Sequence, residues 1–326
     1  MYESIKVGRD YMSSVGLGLW KIDNSETAKV VEQAIKLGYR HLDSASDYGN
    51  ETEVGIGISK AISSGYCNRD QLWVTSKLWN TYHSKKHVRM ACERSLLDLG
   101  LDYLDLYLVH FPISLKFVPF EDCYPPGWVY KGKGEANGKM KIDPIPLAET
   151  WEGMEKLVES GLVRNIGICN YNTGLLHDLI SYAQIKPAML QIESHPYLTQ
   201  NNLIHLAKDN SIAITAFSPL GSLSYVSLDM AKDHDSILRQ PEVLEVASEL
   251  ERTPAQIILR WGLQRETAII PKTTRLDRLK ENLSVFDFTL TDRQMNSISE
   301  LNCNRRFNDP GVFCKKQFGK FYPIYE

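Results

Sequence analysis

One phrase of hydrophobic and polar positions recurs along the chain: an amphipathic stretch, a breaker, a short apolar or β-branched run, and a polar residue where the run ends. Residues 28–37 are apolar at 28, 30, 31, 34, 35 and 37, which is a helical spacing, and Gly38 is placed to stop that helix. Residues 39–43 continue as a strand. The phrase returns as helix 88–99, Gly100 and strand 103–110, and again as helix 147–160, Gly161 and strand 163–170. Helix 175–183 leads to strand 189–193, and helix 202–208 leads to strand 212–218. Helices 243–250 and 254–264 lead to strand 268–272, and helix 276–283 closes the series. With strands at 15–20 and 71–77, the pattern predicts about eight strands, nearly all separated by helices.

Such alternation implies parallel strands joined by right-handed crossovers. An open doubly wound sheet is the rival, and it normally carries a glycine-rich turn after its first strand. Gly55-Ile56-Gly57 comes nearest, but it lacks the third glycine and sits inside a helical pattern. Eight units favour a closed (β/α)8 TIM barrel: an α/β single domain over residues 1–300, with a tail at 301–326 expected to close the substrate pocket. Chemistry in such barrels lies at the C-terminal ends of the strands, which selects Asp43, Lys77, His110, Asn170, Gln191, Ser218 and Lys272. Residues 117–141 and 222–235 interrupt the rhythm and read as long loops on the active face, and 303–326 has no periodicity.

Composition narrows the classes. The 37 Lys and Arg against 40 Asp and Glu give a net charge of −3, which excludes nucleic-acid binding by overall phosphate neutralisation. Hydrophobic residues at 43% with 24% charged residues indicate a soluble globular protein. Six cysteines without a CxxC pair read as reduced thiols in a cytoplasmic setting. Residues 1–9 hold no apolar leader core, and no apolar run approaches the roughly 18 residues of a membrane helix. The sequons at Asn50 and Asn282 carry little weight in such a chain. His83 and His87 have an i, i+4 spacing but flank Ser84-Lys85-Lys86 without a third ligand, so they read as a solvated helix start and no metal is expected.

Asp43, Tyr48, Lys77 and His110 come from the ends of three successive strands and would gather at one barrel mouth. A phenol is a poor acid near neutrality, a nearby ammonium favours its phenolate, and a carboxylate can hold that ammonium in place. Tyr48 could then give a proton to a carbonyl oxygen that an uncharged His110 orients. Lys272 and Arg278 near the start of the last helix oppose its dipole, so a bound anion explains them better than helix stability.

These residues resemble the aldo-keto reductase superfamily over nearly the whole chain. The resemblance is carried by Leu42-Asp43-Ser44-Ala45 with Tyr48 and Asn50-Glu51, Lys77-Leu78-Trp79, Asp105-Leu106-Tyr107 running to His110, Gly167-Ile168-Cys169-Asn170, Gln191-Ile192-Glu193 with His195-Pro196, and Ile270-Pro271-Lys272. It implies Tyr48 as general acid/base, Asp43 and Lys77 as its tuning pair, and His110 as the carbonyl-orienting residue. It also implies NADPH/NADP+ as cofactor. The nicotinamide would lie on Cys169, Asn170, Gln191 and Phe217, the pyrophosphate on Ser218, Leu220 and Ser222, and the 2′-phosphate end on Lys272, Thr273, Arg278, Glu281 and Asn282. Position 169 is usually Ser in that family and is Cys here; the stacking residue is often Tyr and is Phe217 here. The Asp47 to Glu51 segment, Phe111, Tyr124-Pro125-Pro126-Gly127 and the Arg306 to Pro310 segment look like the xylose reductase branch. That likeness implies apolar pocket walls from Trp20, Trp79 and Phe111, with hydroxyl contacts from Asp47 and Asn308. The expected activity is reduction of an aldose to its alditol by a monomer or homodimer. Its alternatives are an aldose 6-phosphate reductase and a cofactor-sensing module.

Overall fold

A computed structural model describes residues 3–129 and 138–325. The chain starts with an antiparallel hairpin, β1 (Ser4–Val7) and β2 (Asp10–Ser13), and continues with β3 (Leu17–Gly18), α1 (Asn24–Leu37), β4 (His41–Asp43), α2 (Glu51–Ser63), β5 (Trp73–Leu78) and α3 (Lys85–Leu99). Next come β6 (Leu104–Val109), α4 (Leu147–Glu159), β7 (Val163–Cys169), α5 (Thr173–Tyr182), β8 (Met189–Glu193), α6 (Asn201–Asp209) and β9 (Ala213–Phe217). The rest is α7 (Pro241–Glu249), α8 (Pro254–Gln264), β10 (Ala268–Ile269), α9 (Leu276–Leu283), α10 (Asp292–Ser299), α11 (Pro310–Phe313) and α12 (Lys315–Phe318).

Strands β3 to β10 pair in parallel in chain order, and a parallel bridge between Val15 and Ile269 joins the last strand to the first. This is the (β/α)8 barrel that the sequence pattern predicts. The helices start and stop where local chemistry supports it. The Asp23 carboxylate accepts the Ser25 N–H at 2.9 Å ahead of α1, and Gly38 ends that helix at φ 111°. Thr253 and Gln256 form a capping box at α8, with Pro254 in its first turn. Gly57 lies inside α2, where a Cβ would strike the Ala28 carbonyl and Val31 of α1, so that glycine serves close helix packing rather than a phosphate.

Three features depart from the sequence pattern. The β1–β2 hairpin is not foreseen; it packs Val7 and Met12 against Trp73, Leu106 and Met189 inside the barrel, and Asn165 of β7 donates to Asp10 at 2.8 Å. Helix α10 is also unforeseen, although Thr291 and Gln294 form a capping box at its start. The tail is not featureless, since it forms α11 and α12 and buries Phe307 and Cys314. Of the two long loops, residues 130–137 lie outside the described residues, and the other is a series of short 3-10 turns at Gly221–Ser224, Val226–Leu228 and Asp233–Asp235. Gly221 starts that series at φ 70°, with Ile237 packed where a Cβ would stand.

Candidate active site

The ends of β4 and β5 bring three groups together. Lys77 is fully buried and donates to Asp43 Oδ1 at 2.6 Å and to the Ser44 carbonyl at 2.7 Å; its Nζ lies 3.3 Å from the Tyr48 hydroxyl. The other Asp43 oxygen accepts Gln191 Nε2 at 2.6 Å, so the carboxylate ties β4, β5 and β8 into one network. His110, just past β6, stands edge-on to Tyr48 with ring centroids 5.9 Å apart. Its Nδ1 lies 3.1 Å from Asp47, without the alignment of a hydrogen bond.

Tyr48 is pushed well above the ordinary phenol range, first by burial and then by the Asp43 and Asp47 carboxylates. The Lys77 ammonium, held by Asp43 and 3.3 Å from the phenol oxygen, acts in the opposite sense and favours the phenolate. Burial outweighs it, so Tyr48 keeps its proton.

A cleft of about 960 Å³ opens over this centre. It reaches from Tyr48 and His110 past Cys169, Asn170, Gln191, Phe217, Ser218 and Leu220 to Lys272, Thr273, Arg278, Glu281 and Asn282. Asn170, at φ 65°, donates through Nδ2 to the His110 carbonyl at 2.8 Å. Burial raises the Cys169 thiol, so it stays protonated beside Gln191. At the far end Lys272 and Arg278 are exposed, with no ion-pair partner among the described residues, while their neighbour Arg275 is paired with Asp277. Unmatched cations at one end and fixed amides at the other suit a dinucleotide carrying an extra phosphate. Ser222 departs from expectation: it does not line the cleft, and its buried hydroxyl has no partner among the described residues.

Trp20, Asp47, Phe111 and Asn308 line the cleft. Trp79 does not, because its indole donates to the Gly127 carbonyl at 3.2 Å and backs His110 and Phe111 from inside. Trp128 supplies that wall instead, 4.8 Å from the Phe111 ring and 5.7 Å from that of Phe313. Sequence reasoning also misses Tyr225, buried against Trp20 and Phe307 and bonded to Ser218 at 2.7 Å. It misses Lys21 as well, which crosses the cleft to the Ser224 carbonyl at 2.9 Å and to Ser227 Oγ at 2.8 Å. Lys21 directly follows Trp20, three residues past the end of β3, so extending the strand-end rule into the residues that follow each strand finds it. Nothing in the sequence marks the loop that it reaches. Glu193 sets the tail: its carboxylate accepts the backbone N–H groups of Phe307 and Asn308, both at 2.8 Å, and His195 Nε2 lies 2.9 Å away.

His83 is not at a solvated helix start. It is fully buried, and desolvation takes its imidazole down to about 3. His87 stacks on Phe117 with centroids 3.7 Å apart. No cluster of His, Cys, Asp and Glu suited to a metal occurs among the described residues, and no helix there is long and apolar enough to cross a membrane.

Residues 12–303 match the sequence profile of the Aldo/keto reductase family. The chain is 48% identical over 310 residues to the NADPH-dependent D-xylose reductase of Meyerozyma guilliermondii, covering 94% of this chain and 96% of that protein. It is 47% identical over 305 residues to the 4-dihydromethyl-trisporate dehydrogenase of Mucor mucedo, covering 93% and 94%. Its fold is similar to that of a Bombyx mori aldo-keto reductase in complex with NADP, with a TM-score of 0.84 at 32% identity, covering 100% of this chain and 99% of the other.

Proposed function

The chain belongs to the aldo/keto reductase family, and we propose that it reduces the aldehyde of an open-chain, xylose-like aldose to the alditol with NADPH. The observation that carries this reading is the Tyr48 hydroxyl facing the cleft above the buried Lys77–Asp43 pair, with His110 beside it. When bound, NADPH supplies the hydride that the carbonyl carbon accepts. Tyr48 gives its proton to the carbonyl oxygen as negative charge develops there, and its high affinity for that proton matters little against a far more basic alkoxide. Lys77 then balances the phenolate left behind, and Asp43 keeps the ammonium in place. His110 donates from its ring N–H to the same oxygen.

Asn170 and Gln191 would bind the nicotinamide amide, with Cys169 as a weak third partner and Phe217 against the ring. Ser218 and Leu220 would line the pyrophosphate. Lys272 and Arg278 would take the 2′-phosphate, and Thr273, Glu281 and Asn282 the adenosine side; the exposure and unmatched charge of the two cations support this placement. Residues 1–300 would form the catalytic barrel and 301–326 the tail that completes the substrate pocket, a division supported by Asn308 and Phe313 in the cleft wall. The absence of any disulfide among the six cysteines supports a cytoplasmic setting.

The test is NADPH oxidation with xylose, a sugar 6-phosphate and benzaldehyde, in the native chain and in Asn308→Ala. Losing a hydroxyl contact in a desolvated pocket costs roughly 1–3 kcal/mol. The variant should therefore lose about tenfold in kcat/KM with xylose and almost nothing with benzaldehyde. Parallel loss with both, or a much higher efficiency with the sugar phosphate, would overturn the free-sugar reading. A cofactor-sensing module would show no turnover at all.

A further inference from the structure

The tail touches the site at a further place besides Asn308 and Phe313. Tyr325 donates from its hydroxyl to Asn170 Oδ1 at 3.0 Å. Two further contacts fix its position: its ring lies under the Arg306 guanidinium at 3.7 Å, and its backbone carbonyl accepts Asn172 Nδ2 at 3.2 Å. Asn172 in turn caps α5 by accepting the Leu175 N–H at 2.9 Å. The phenol thus rests on the same strand-to-helix turn that presents Asn170.

A carboxamide side chain is nearly symmetric in shape but not in chemistry, and its partners decide which end faces a ligand. The Asn170 nitrogen end is claimed by the His110 carbonyl at 2.8 Å and lies 3.1 Å from Cys169 Sγ. The Tyr325 hydroxyl takes one lone pair of the oxygen end, which leaves the second lone pair for an incoming N–H. A flipped Asn170 would set its oxygen against the His110 carbonyl, acceptor against acceptor, whereas in the observed orientation the Tyr325 hydroxyl donates to the oxygen end. Burial also raises Tyr325 well above the ordinary phenol range, so it remains a donor at all working pH values.

We propose that Tyr325 is a positioning residue, through which the tail fixes the Asn170 oxygen toward the amide N–H of the nicotinamide. The inference rests on the assignment of Asn170 to the nicotinamide amide made above. Its probe is a pair of dinucleotides, NADP+ and the analogue in which an acetyl group replaces the carboxamide and no N–H remains to be accepted. Tryptophan fluorescence titration gives Kd for both. Tyr325→Phe keeps the ring on Arg306 and removes one hydrogen bond, a change of roughly two- to tenfold. It should raise Kd for NADP+ by that factor, leave Kd for the analogue unchanged, and leave KM for the aldehyde unchanged. Equal weakening toward both dinucleotides would show that Tyr325 only fastens the tail, and no weakening toward either would show that Asn170 needs no help; each result overturns the proposal. Asn170→Ala is the reference. If Asn170→Ala discriminates between the dinucleotides and Tyr325→Phe does not, only this inference fails. If Asn170→Ala does not discriminate either, the nicotinamide assignment itself falls.

Discussion

Under Tyr48, the Lys77 ammonium lies 2.6 Å from Asp43 and 2.7 Å from the Ser44 carbonyl, wholly out of water. At the other end of the cleft, Lys272 and Arg278 stand exposed and without ion-pair partners among the described residues. The first region is complete within the chain: each charge has its partner, and removing one member of such a buried pair costs about 3–5 kcal/mol. The second region is built for something that arrives from outside, and its charges are screened by salt. The difference teaches where a substitution should act, on chemistry and stability in the first region and on affinity alone in the second.

Tyr48→Phe breaks this contrast most sharply if it is wrong. The variant should lose about 10²- to 10⁴-fold in kcat while Kd for NADPH stays within twofold, because only the transferable proton is removed. Wild-type turnover would end the catalytic reading of the buried region.

Glu51 tests how far burial there has been carried. Its carboxylate accepts Ser76 at 2.6 Å and Ser95 at 3.0 Å, and burial pushes it up from the ordinary 4.5 to about 7. The folded chain keeps this proton over a pH range in which the unfolded chain has released it. Its contribution is thus full below about pH 4.5, falls as pH rises, and levels off above about 7, a total loss of about 3 kcal/mol. Glu51→Gln should flatten this dependence, so that urea midpoints match near pH 5 and the variant is the more stable at pH 8. Parallel pH profiles would show that Glu51 does not titrate in this interval.

The smallest effect belongs to the exposed end. Arg278→Ala should raise KM for NADPH by about tenfold to a hundredfold, since a charge-assisted contact contributes roughly 1.5–3 kcal/mol. KM for NADH and the melting temperature should hardly move, and added salt should narrow the gap. Equal losses with both cofactors would remove the 2′-phosphate from Arg278.

The barrel and its strand ends were legible because helix period, stop signal and strand follow each other locally, as at residues 28–43. Asp43, Tyr48, Lys77, His110, Asn170 and Gln191 met in one place for that reason. The hairpin was not legible because its two four-residue strands are too short to show a period and each buries a single residue, Val7 and Met12. Helix α10 left a trace in Thr291 and Gln294, but its apolar face is thin, with Ile298 alone buried. At the rim the failures are of side-chain direction. Trp79 follows a strand, yet its indole turns inward to Gly127, while Trp128 in an aperiodic loop faces the cleft. Contacts such as Lys21 with Ser224 or Tyr325 with Asn170 join residues far apart in the chain, where local pattern says nothing.

The barrel closes unevenly. Strands β5, β6 and β7 meet over long registers, whereas β3 meets β10 through the Val15–Ile269 bridge and a few bonds, Gly16 N–H to Ile269 at 2.8 Å, Ile269 N–H to Ser14 at 2.8 Å and Gly18 N–H to Pro271 at 3.3 Å. This seam is the barrel's least fastened join. Trp20 and Lys21 continue from one of its lips, and Lys272 and Thr273 from the other. All four line the cleft, so a molecule bound along it would bridge the seam, and one that binds only the closed barrel would add its binding free energy to the stability of that join.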